Sequence, residues 1–400
     1  MYQIQEQEKM VLDAGFAAVF GMQPRRYFSA PGRTEIGGNH TDHQRGHVLA
    51  AAVDLDTRAA VRPNGTMCIR VQSEGYPLCE VDLTDLAPRK EEENTTAALI
   101  RGMAARFVQL GRPVGGFDAY VTSTVLPGSG LSSSAAFEVL MGTVLNGLFG
   151  GGLNAAQIAM IGQYAENVYF GKPCGLMDQM ASAVGGMVAI DFSQPESPAV
   201  KPIDFDFSAC NHALCIIDTH ASHADLTEEY AAVPAEMKAV AAHFGCEVLS
   251  QVPQERFFAE IPALRKGFGD RAVLRAMHFY AENERVSRQT AALERGDFEA
   301  FLNLVKESGR SSFMYLQNVI VSGSTAHQDV ALTLALCEKL LGGKGAFRVH
   351  GGGFAGTVQA FVPFDLLEEF RNGMDDALGQ GSCHVLSIRA EGGIEMEVAL

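Results

Sequence analysis

The feature that most constrains the fold is a strand-like run that leads into a glycine- and serine-rich loop, which in turn opens a helix. Residues 117–125 alternate as a β-strand does, residues 126–136 read LPGSGLSSSAA, and residues 133–149 predict a helix. This order presents free backbone N–H groups and the positive helix end to a phosphate. The loop lacks the lysine of the G-x-x-x-x-G-K-[ST] motif. A flexible loop before a capped helix remains the structural alternative.

A second segment, residues 31–42, reads PGRTEIGGNHTD and joins an arginine, two adjacent glycines and a cluster of polar side chains. We expect a glycine turn that ends in this cluster, after a short strand at residues 27–30. Asn and Asp side chains exchange hydrogen bonds with hydroxyl groups, and arginine stabilises negative charge. The segment therefore predicts a clamp for a polyhydroxylated ligand, with an ordinary surface turn as the alternative.

Two further segments carry candidate chemistry. Residues 171–179, GKPCGLMDQ, place Asp178 after a Gly-Pro turn, where it is either a general base or a helix cap. Upstream, Glu166 is a further candidate site residue on a helical pattern. A solvent-exposed residue of that helix is the structural alternative. Residues 349–357, VHGGGFAGT, contain three consecutive glycines, which predict close approach of a ligand or backbone, or a tight hairpin.

Length and pattern predict an α+β protein of two or three domains. The chain has 400 residues, and its strands and helices alternate without βαβ regularity. Three prolines at residues 193–202 predict a connector, so we expect domains at 1–195 and 196–400. We also predict a helix at 91–110 and a hairpin turn at 63–65 between strands 48–62 and 67–81.

Composition narrows the class of partner. The formal net charge of −16 disfavours nucleic acid, which requires a basic face. Eight scattered cysteines without a C-x-x-C pair predict reduced thiols in a cytoplasmic protein, and a metal site at residues 210–215 is disfavoured. We expect no signal peptide and no membrane span, because no run of 18 apolar residues occurs. The oligomeric state stays open between a monomer and a weak dimer.

Taken together and in this order, the four segments resemble the GHMP family of small-molecule kinases, and within it the galactokinases. The galactokinase pattern G-R-x-N-x-I-G-E-H-T-D-Y resembles residues 32–43, and residues 126–136 resemble the family's phosphate loop. CGLMDQ is similar to its catalytic-aspartate segment and GGGFAG to its third motif. The resemblance runs from about residue 28 onward. It implies a two-domain GHMP kinase fold with mixed sheets and the site in the cleft between domains.

The resemblance also implies an activity and roles for individual residues. Galactokinases transfer the γ-phosphoryl group of ATP to the 1-hydroxyl of α-D-galactose with Mg²⁺. Asp178 would take the sugar proton, Arg33 would hold that aspartate ionised, and Ser134 and Glu166 would hold Mg²⁺. The residues expected to cradle the ATP phosphates are Gly128, Ser129, Gly130, Leu131, Ser132, Ser133 and Ser134. Those expected to contact the sugar are Asn39, His40, Asp42, Gly175 and Tyr230.

The chain departs from the galactokinase pattern at several positions. Asn39 stands where that pattern has Glu, Glu35 where it has Asn, and His43 where it has Tyr. Because the Glu usually contacts the sugar 6-hydroxyl, its replacement leaves a kinase for galacturonate or another galactose-configured sugar as an alternative. A non-catalytic galactose/ATP sensor is a further alternative, but the presence of Arg33 and Asp178 favours the enzyme. The polar cluster at residues 40–42 argues against a homoserine or mevalonate kinase, whose substrates lack the ring hydroxyls that such a cluster would bind.

Overall fold

The computed structural model describes residues 2–125, 130–172, 174–221 and 226–398, so the predictions for Gly128 and Ser129 lie outside the described residues. The α-helices are α1 (Glu6–Phe20), α2 (Thr96–Gln109), α3 (Ser133–Phe149), α4 (Ala155–Ala165), α5 (Met177–Val184), α6 (Thr227–His243), α7 (Gln254–Ala259), α8 (Ile261–Glu294), α9 (Phe298–Ser311), α10 (Asp329–Leu341) and α11 (Leu367–Leu378). No helix among the described residues is both long and apolar enough to span a bilayer.

The strands form two mixed or antiparallel sheets. They are β1 (Arg26–Gly37), β2 (His47–Pro63), β3 (Cys68–Ser73), β4 (Cys79–Asp82), β5 (Phe117–Ser123), β6 (Met187–Asp191), β7 (Ala199–Ile203), β8 (His212–Asp218), β9 (Ala346–His350), β10 (Thr357–Pro363), β11 (Cys383–Leu386) and β12 (Ile394–Met396). The larger sheet has the order β12-β1-β2-β5-β3-β4, with β6 and β7 joined through β2. The smaller sheet has the order β11-β8-β10-β9. The predicted α+β class is confirmed.

One of the predicted turns is wrong, and one predicted strand is longer than expected. Residues 63–65 do not close a hairpin, because β5 lies between β2 and β3 and pairs with both. The strand predicted at residues 27–30 is longer, since β1 continues to Gly37 with register shifts at Pro31/Arg33 and Glu35/Gly37. Glycine and proline are tolerated there as irregularities in a paired strand. The predicted glycine turn follows it at Gly38, which has φ +95° and whose carbonyl accepts from the Thr41 N–H at 3.2 Å.

Other predictions differ in extent. Helix α3 has the predicted bounds, but α2 begins only at Thr96, capped by the Thr95 side chain, so the acidic residues 91–93 precede it. The predicted connector contains β7, which pairs with β6 of the larger sheet. Strand β12, close to the last described residue, pairs with β1. The larger sheet therefore takes strands from beyond residue 195, and the boundary proposed there stays a prediction.

The hydrophobic core places the site where the two sheets meet. Helices α2 to α5 bury one face of the larger sheet through a cluster that includes Val48, Met103 and Leu140. A second cluster joins β1 to α9 and β10, with Ile36 and Phe361 among its members. This burial of apolar side chains holds β1 in place between the larger sheet and the elements of the smaller sheet. Side chains on β1 can therefore contact groups from both sheets.

Candidate active site

Arg33 and Asp178 form the centre of the site. Arg33 lies on β1, and Asp178 lies in the first turn of α5. The guanidinium donates from Nε to Oδ1 at 2.6 Å and from Nη2 to Oδ2 at 2.7 Å. Its remaining nitrogen, Nη1, donates to the carbonyl of Gly130. The two-point pairing fixes the carboxylate, and the third contact links the ion pair to the glycine-serine loop.

The electrostatics keep Asp178 ionised. Burial alone would raise its pKa, but the charge and hydrogen bonds of Arg33, with a further hydrogen bond from Ser132, outweigh burial and lower it. The Asp178 side chain is 30% exposed, so a ligand can reach it. The arrangement provides an ionised carboxylate that is open to a cavity.

That cavity has a volume of about 330 Å³, which lies in the range of small-molecule sites. Its wall brings together six of the predicted residues, namely Arg33, His40, Asp42, Gly175, Asp178 and Tyr230. It also contains residues for which no role was predicted, among them Glu35, Cys174, Met177 and Lys238. Asn39 does not belong to the wall.

Asp42 and Gly175 fit against each other in this wall. A β-carbon built on Gly175 would lie 1.6 Å from Asp42 Oδ2, so only glycine allows the carboxylate its position. Burial, and then the charge of Asp178, raises the pKa of Asp42 to about 6. Backbone N–H groups of His43 and Met177 donate to the carboxylate and favour its ionised form.

His40 belongs to a chain of hydrogen bonds that fixes its tautomer. Leu249 N–H donates to Gln44 Oε1, which orients the Gln44 amide nitrogen toward His43 Nδ1 at 3.2 Å. His43 Nε2 lies 3.2 Å from His40 Nδ1, and His40 Nε2 lies 3.0 Å from the Gly352 carbonyl. Only neutral rings protonated on Nε2 satisfy every link. Burial lowers the pKa of both histidines, which favours these neutral forms.

The prediction that Asn39 contacts the ligand is not supported by its placement. Asn39 is 0% exposed, and its amide nitrogen donates to Glu35 Oε1 at 3.1 Å and to the Gly351 carbonyl at 2.6 Å. Its oxygen accepts from Ser312 at 3.2 Å and from Asn318 at 2.9 Å. The hydrogen bonds of the Asn39 amide are thus made within the protein, behind the wall of the cavity. Its neighbour Glu35 reaches the cavity instead.

The three-glycine loop between β9 and β10 anchors three of the predicted ligand-binding residues through consecutive carbonyl groups. The carbonyl of Gly351 accepts from Asn39, that of Gly352 lies 3.0 Å from His40 Nε2, and that of Gly353 accepts from the Tyr230 hydroxyl at 2.9 Å. A β-carbon on Gly352 would lie 2.7 Å from the Tyr230 ring. The motif therefore works as close-packed support for the wall.

The phosphate-binding prediction falls partly on described residues. Gly130 has φ +71°, and a β-carbon on it would lie 2.3 Å from Thr357 Oγ1. Leu131 is buried, and its carbonyl accepts from the backbone of Arg33 at 3.0 Å. Ser132 has φ +58° and precedes α3, which begins at Ser133. Ser133 and Ser134 therefore lie in the first turn of a helix whose N–H groups favour an anion.

Glu166 and Ser134 lie close together beside this helix end. Ser134 Oγ is 3.5 Å from Glu166 Oε1, and Glu166 is buried rather than solvated. Gln179 Nε2 bridges Glu166 at 2.8 Å and Glu138 at 2.9 Å. Glu138 was not predicted, although its position four residues after Ser134 on a helix could have indicated it. Burial and the charge of Glu166 raise the pKa of Glu138 well above its ordinary value.

A hydroxyl and a carboxylate oxygen are donors that suit Mg²⁺, which usually takes one or two protein carboxylates together with substrate phosphates. No cluster of three or more His, Cys, Asp and Glu side chains suited to a metal occurs in the described ranges. The Ser134–Glu166 pair therefore fits a metal that is completed by a phosphate ligand better than a closed protein cage.

Comparison with known proteins agrees with this geometry. Residues 98–186 match the family described as GHMP kinases N terminal domain, and residues 14–63 match the galactokinase galactose-binding signature. A galactokinase of Streptomyces coelicolor is 32% identical over 366 residues, which cover 90% of this chain and 91% of that protein.

Solved structures share the fold. Lactococcus lactis galactokinase complexed with galactose matches with a TM-score of 0.83 and 25% identity, covering 96% of this chain and 98% of that one. L. major mevalonate kinase in complex with R-mevalonate matches with a TM-score of 0.61 and 15% identity, over 92% of this chain and 99% of that one.

The fold, the site and these matches define a small-molecule kinase of the GHMP class. Within that class the identity to a galactokinase over nine-tenths of both chains decides the assignment. The chain belongs to the galactokinase family and is a sugar kinase.

Proposed function

We propose that this protein transfers the γ-phosphoryl group of ATP to the anomeric 1-hydroxyl of α-D-galactose. The observation that carries the proposal is the Arg33–Asp178 ion pair at the wall of a cavity that also contains His40, Asp42 and Tyr230. Polar groups that converge on one small cavity suit a neutral sugar. The galactose in the related Lactococcus structure supports the same substrate.

In the proposed reaction, the sugar 1-oxygen forms a bond to the γ-phosphorus, the bond from that phosphorus to the bridging oxygen breaks, and ADP leaves. The proton of the hydroxyl passes to Asp178. A carboxylate whose pKa is lowered is a weak base, which is sufficient when the transition state is loose and the proton leaves late. Arg33 holds the base in position and stabilises negative charge near the transferred group.

The nucleotide is proposed to lie along residues 128–134, with its phosphates at the start of α3. Ser134 and Glu166 would hold Mg²⁺ there, and the ion would neutralise charge on the phosphate oxygens. His40, Asp42, Gly175 and Tyr230 would orient the sugar. The neutral rings of His40 and His43, of which His40 contacts the Gly352 carbonyl, add no net charge to the sugar cavity.

A coupled assay of ADP release tests the proposal. We expect turnover with galactose that exceeds turnover with galacturonate, galactosamine, N-acetylgalactosamine and arabinose, and product analysis should place the phosphate on the 1-oxygen. If galactose binds in calorimetry but causes no ADP release, the proposal is overturned in favour of a non-catalytic sensor. A kcat/KM for galacturonate equal to or above that for galactose would overturn the choice of sugar.

A further inference from the structure

We propose that the Glu35 carboxylate, rather than the Asn39 amide, accepts hydrogen bonds from sugar hydroxyl groups. We further propose that its charge makes this cavity select neutral over anionic sugars. The inference rests on the proposed function and assigns a specificity-determining residue to it. Glu35 stands where the galactokinase pattern has an amide, and Asn39 where it has a carboxylate. The chain thus carries the two groups in exchanged order, four residues apart.

The strand geometry places Glu35 beside the reaction centre. Between Arg33 and Glu35, β1 pairs regularly with β2, since Arg33 lies opposite Ala52 and Glu35 opposite Ala50. Residues two apart on a regular strand point to the same face. Arg33 and Glu35 therefore both reach the cavity wall.

The contacts of Glu35 leave one of its oxygens available. Arg348 Nη2 and Asn39 Nδ2 both donate to Oε1, the latter at 3.1 Å. Among the residues that the structure describes, Oε2 has only a long contact of 3.5 Å, to the Asn39 amide nitrogen. A carboxylate oxygen accepts about two hydrogen bonds. Oε2 can therefore accept from a hydroxyl group without losing a protein partner.

Arg348 is held too firmly to release Glu35. It is 0% exposed, and its other nitrogens donate to the carbonyls of Val349 at 2.9 Å and Ile36 at 3.1 Å. A buried arginine with three fixed acceptors loses little entropy when it holds a carboxylate. Glu35 is thus an oriented acceptor, 3% exposed, whose position does not depend on the ligand.

The charges around the cavity explain the selection. The described residues of its wall include three carboxylates, Glu35, Asp42 and Asp178, while Arg33 is engaged with Asp178 and Arg348 with Glu35. Lys238 also lines the wall, but its side chain is exposed, so water and salt screen its charge. A sugar carboxylate would add a fourth negative group and would give Glu35 Oε2 no hydroxyl donor. A hydroxyl group donates to Glu35 and meets neither penalty.

The test compares Glu35→Gln with a matched control in kcat/KM for galactose and galacturonate. Glutamine keeps the size of the side chain but removes its charge. Since a hydrogen bond to a charged acceptor contributes more than one to a neutral acceptor, we expect kcat/KM for galactose to fall about 10-fold to 100-fold. The ratio of galactose to galacturonate should fall about tenfold or more, because a repulsion is removed as well.

Glu92→Gln is the control. Glu92 is a glutamate paired at two points with the buried Arg101, at 2.7 Å for each contact, and it lies outside the cavity wall. The sugar ratio should stay within about threefold in this variant, as for a site with no sugar contact. Galactose analogues that each lack one hydroxyl group identify which hydroxyl donates to Glu35. For the analogue without that hydroxyl, Glu35→Gln should cause no further decrease in kcat/KM.

An unchanged sugar ratio in folded Glu35→Gln, or the same change in Glu92→Gln, would overturn the inference. If Glu35→Gln does not fold, Glu35→Asp takes its place. The shorter carboxylate should lower kcat/KM for galactose and keep the sugar ratio, and a lost ratio would overturn the assignment. The proposed function fails separately, because its failure is absence of turnover of galactose by the unmodified protein.

Discussion

Arg33 and Asp178 lie 145 residues apart in sequence and meet through two parallel hydrogen bonds of 2.6 and 2.7 Å. One partner belongs to a sheet strand and the other to the first turn of a helix, so their pairing is set by packing of α5 on β1. The same arginine also contacts the backbone of Gly130. A single side chain thus connects the proposed base to the proposed phosphate site.

Replacement of Asp178 by Asn should abolish most turnover while galactose still binds. The amide keeps the shape of the side chain but cannot accept the sugar proton, so we expect kcat to fall about 10²-fold or more. A coupled assay measures kcat, and calorimetry with galactose measures binding. Asp118→Asn is the matched control, because Arg70 pairs with Asp118 at two points, at 2.8 and 2.7 Å, away from the cavity. Near-normal kcat in Asp178→Asn would refute the assignment of the base.

The pKa of Asp42 predicts a pH dependence. With a pKa of about 6 in the free enzyme, Asp42 is ionised above that pH and protonated below it. Its ability to accept sugar hydroxyls should therefore fall, and kcat/KM should decrease below about pH 6. Asp42→Asn should show a lower kcat/KM without this acid limb. An unshifted acid limb in the variant would assign the limb to another group.

The same shift predicts a trade-off between function and stability. A carboxyl group whose pKa is higher in the folded than in the unfolded protein binds its proton more tightly when folded. Ionised Asp42 therefore costs stability, and the cost grows as pH rises from about 4 to about 6 and is constant above that range. Asp42→Asn should raise the Tm at pH 7 and raise it less at pH 4. Thermal unfolding at the two pH values measures this difference, and an equal gain at both would contradict it.

The metal prediction is tested with neighbouring serines. Ser134→Ala removes a hydroxyl that lies 3.5 Å from Glu166 Oε1, so half-maximal activity should require several times more Mg²⁺. Ser133→Ala removes a hydroxyl one residue earlier in the same helical turn but keeps the backbone N–H that is proposed to face the phosphates, so it should leave the Mg²⁺ titration nearly unchanged. Titration of initial rates at saturating ATP distinguishes the two. Equal titrations for Ser134→Ala and the unmodified protein would remove Ser134 from the metal site.

Gly175→Ala should impair sugar binding through steric displacement. Its new β-carbon would lie 1.6 Å from Asp42 Oδ2, so the carboxylate must leave its position. We expect KM for galactose to rise about tenfold or more, as when a charged hydrogen-bond acceptor is lost. Gly267→Ala is the control, since nothing lies within 4 Å of its β-carbon position. A KM that is unchanged in Gly175→Ala would show that Asp42 does not contact the sugar.

The features that could be predicted from local sequence are those that depend on residues close together in the chain. Helix α3 has its predicted bounds because its loop and apolar spacing lie within one segment. The contact between Arg33 and Asp178 was predicted only through the resemblance to a family, because no local sequence pattern relates the two residues. The exchange of Glu35 and Asn39 was visible as two separate departures. Which of the two faces the cavity depends on strand pairing and on Arg348, more than 300 residues away in sequence.

The support that the three glycine carbonyls give to Asn39, His40 and Tyr230 has a consequence for the order in which activity arises. During synthesis, the residues that bear the chemistry emerge early, but the carbonyls that hold the wall belong to residues 351–353. Contacts of such long range form late in folding. A nascent chain that stops before this loop would hold the proposed base without the carbonyls that support Asn39, His40 and Tyr230, so its sugar cavity would be unfinished.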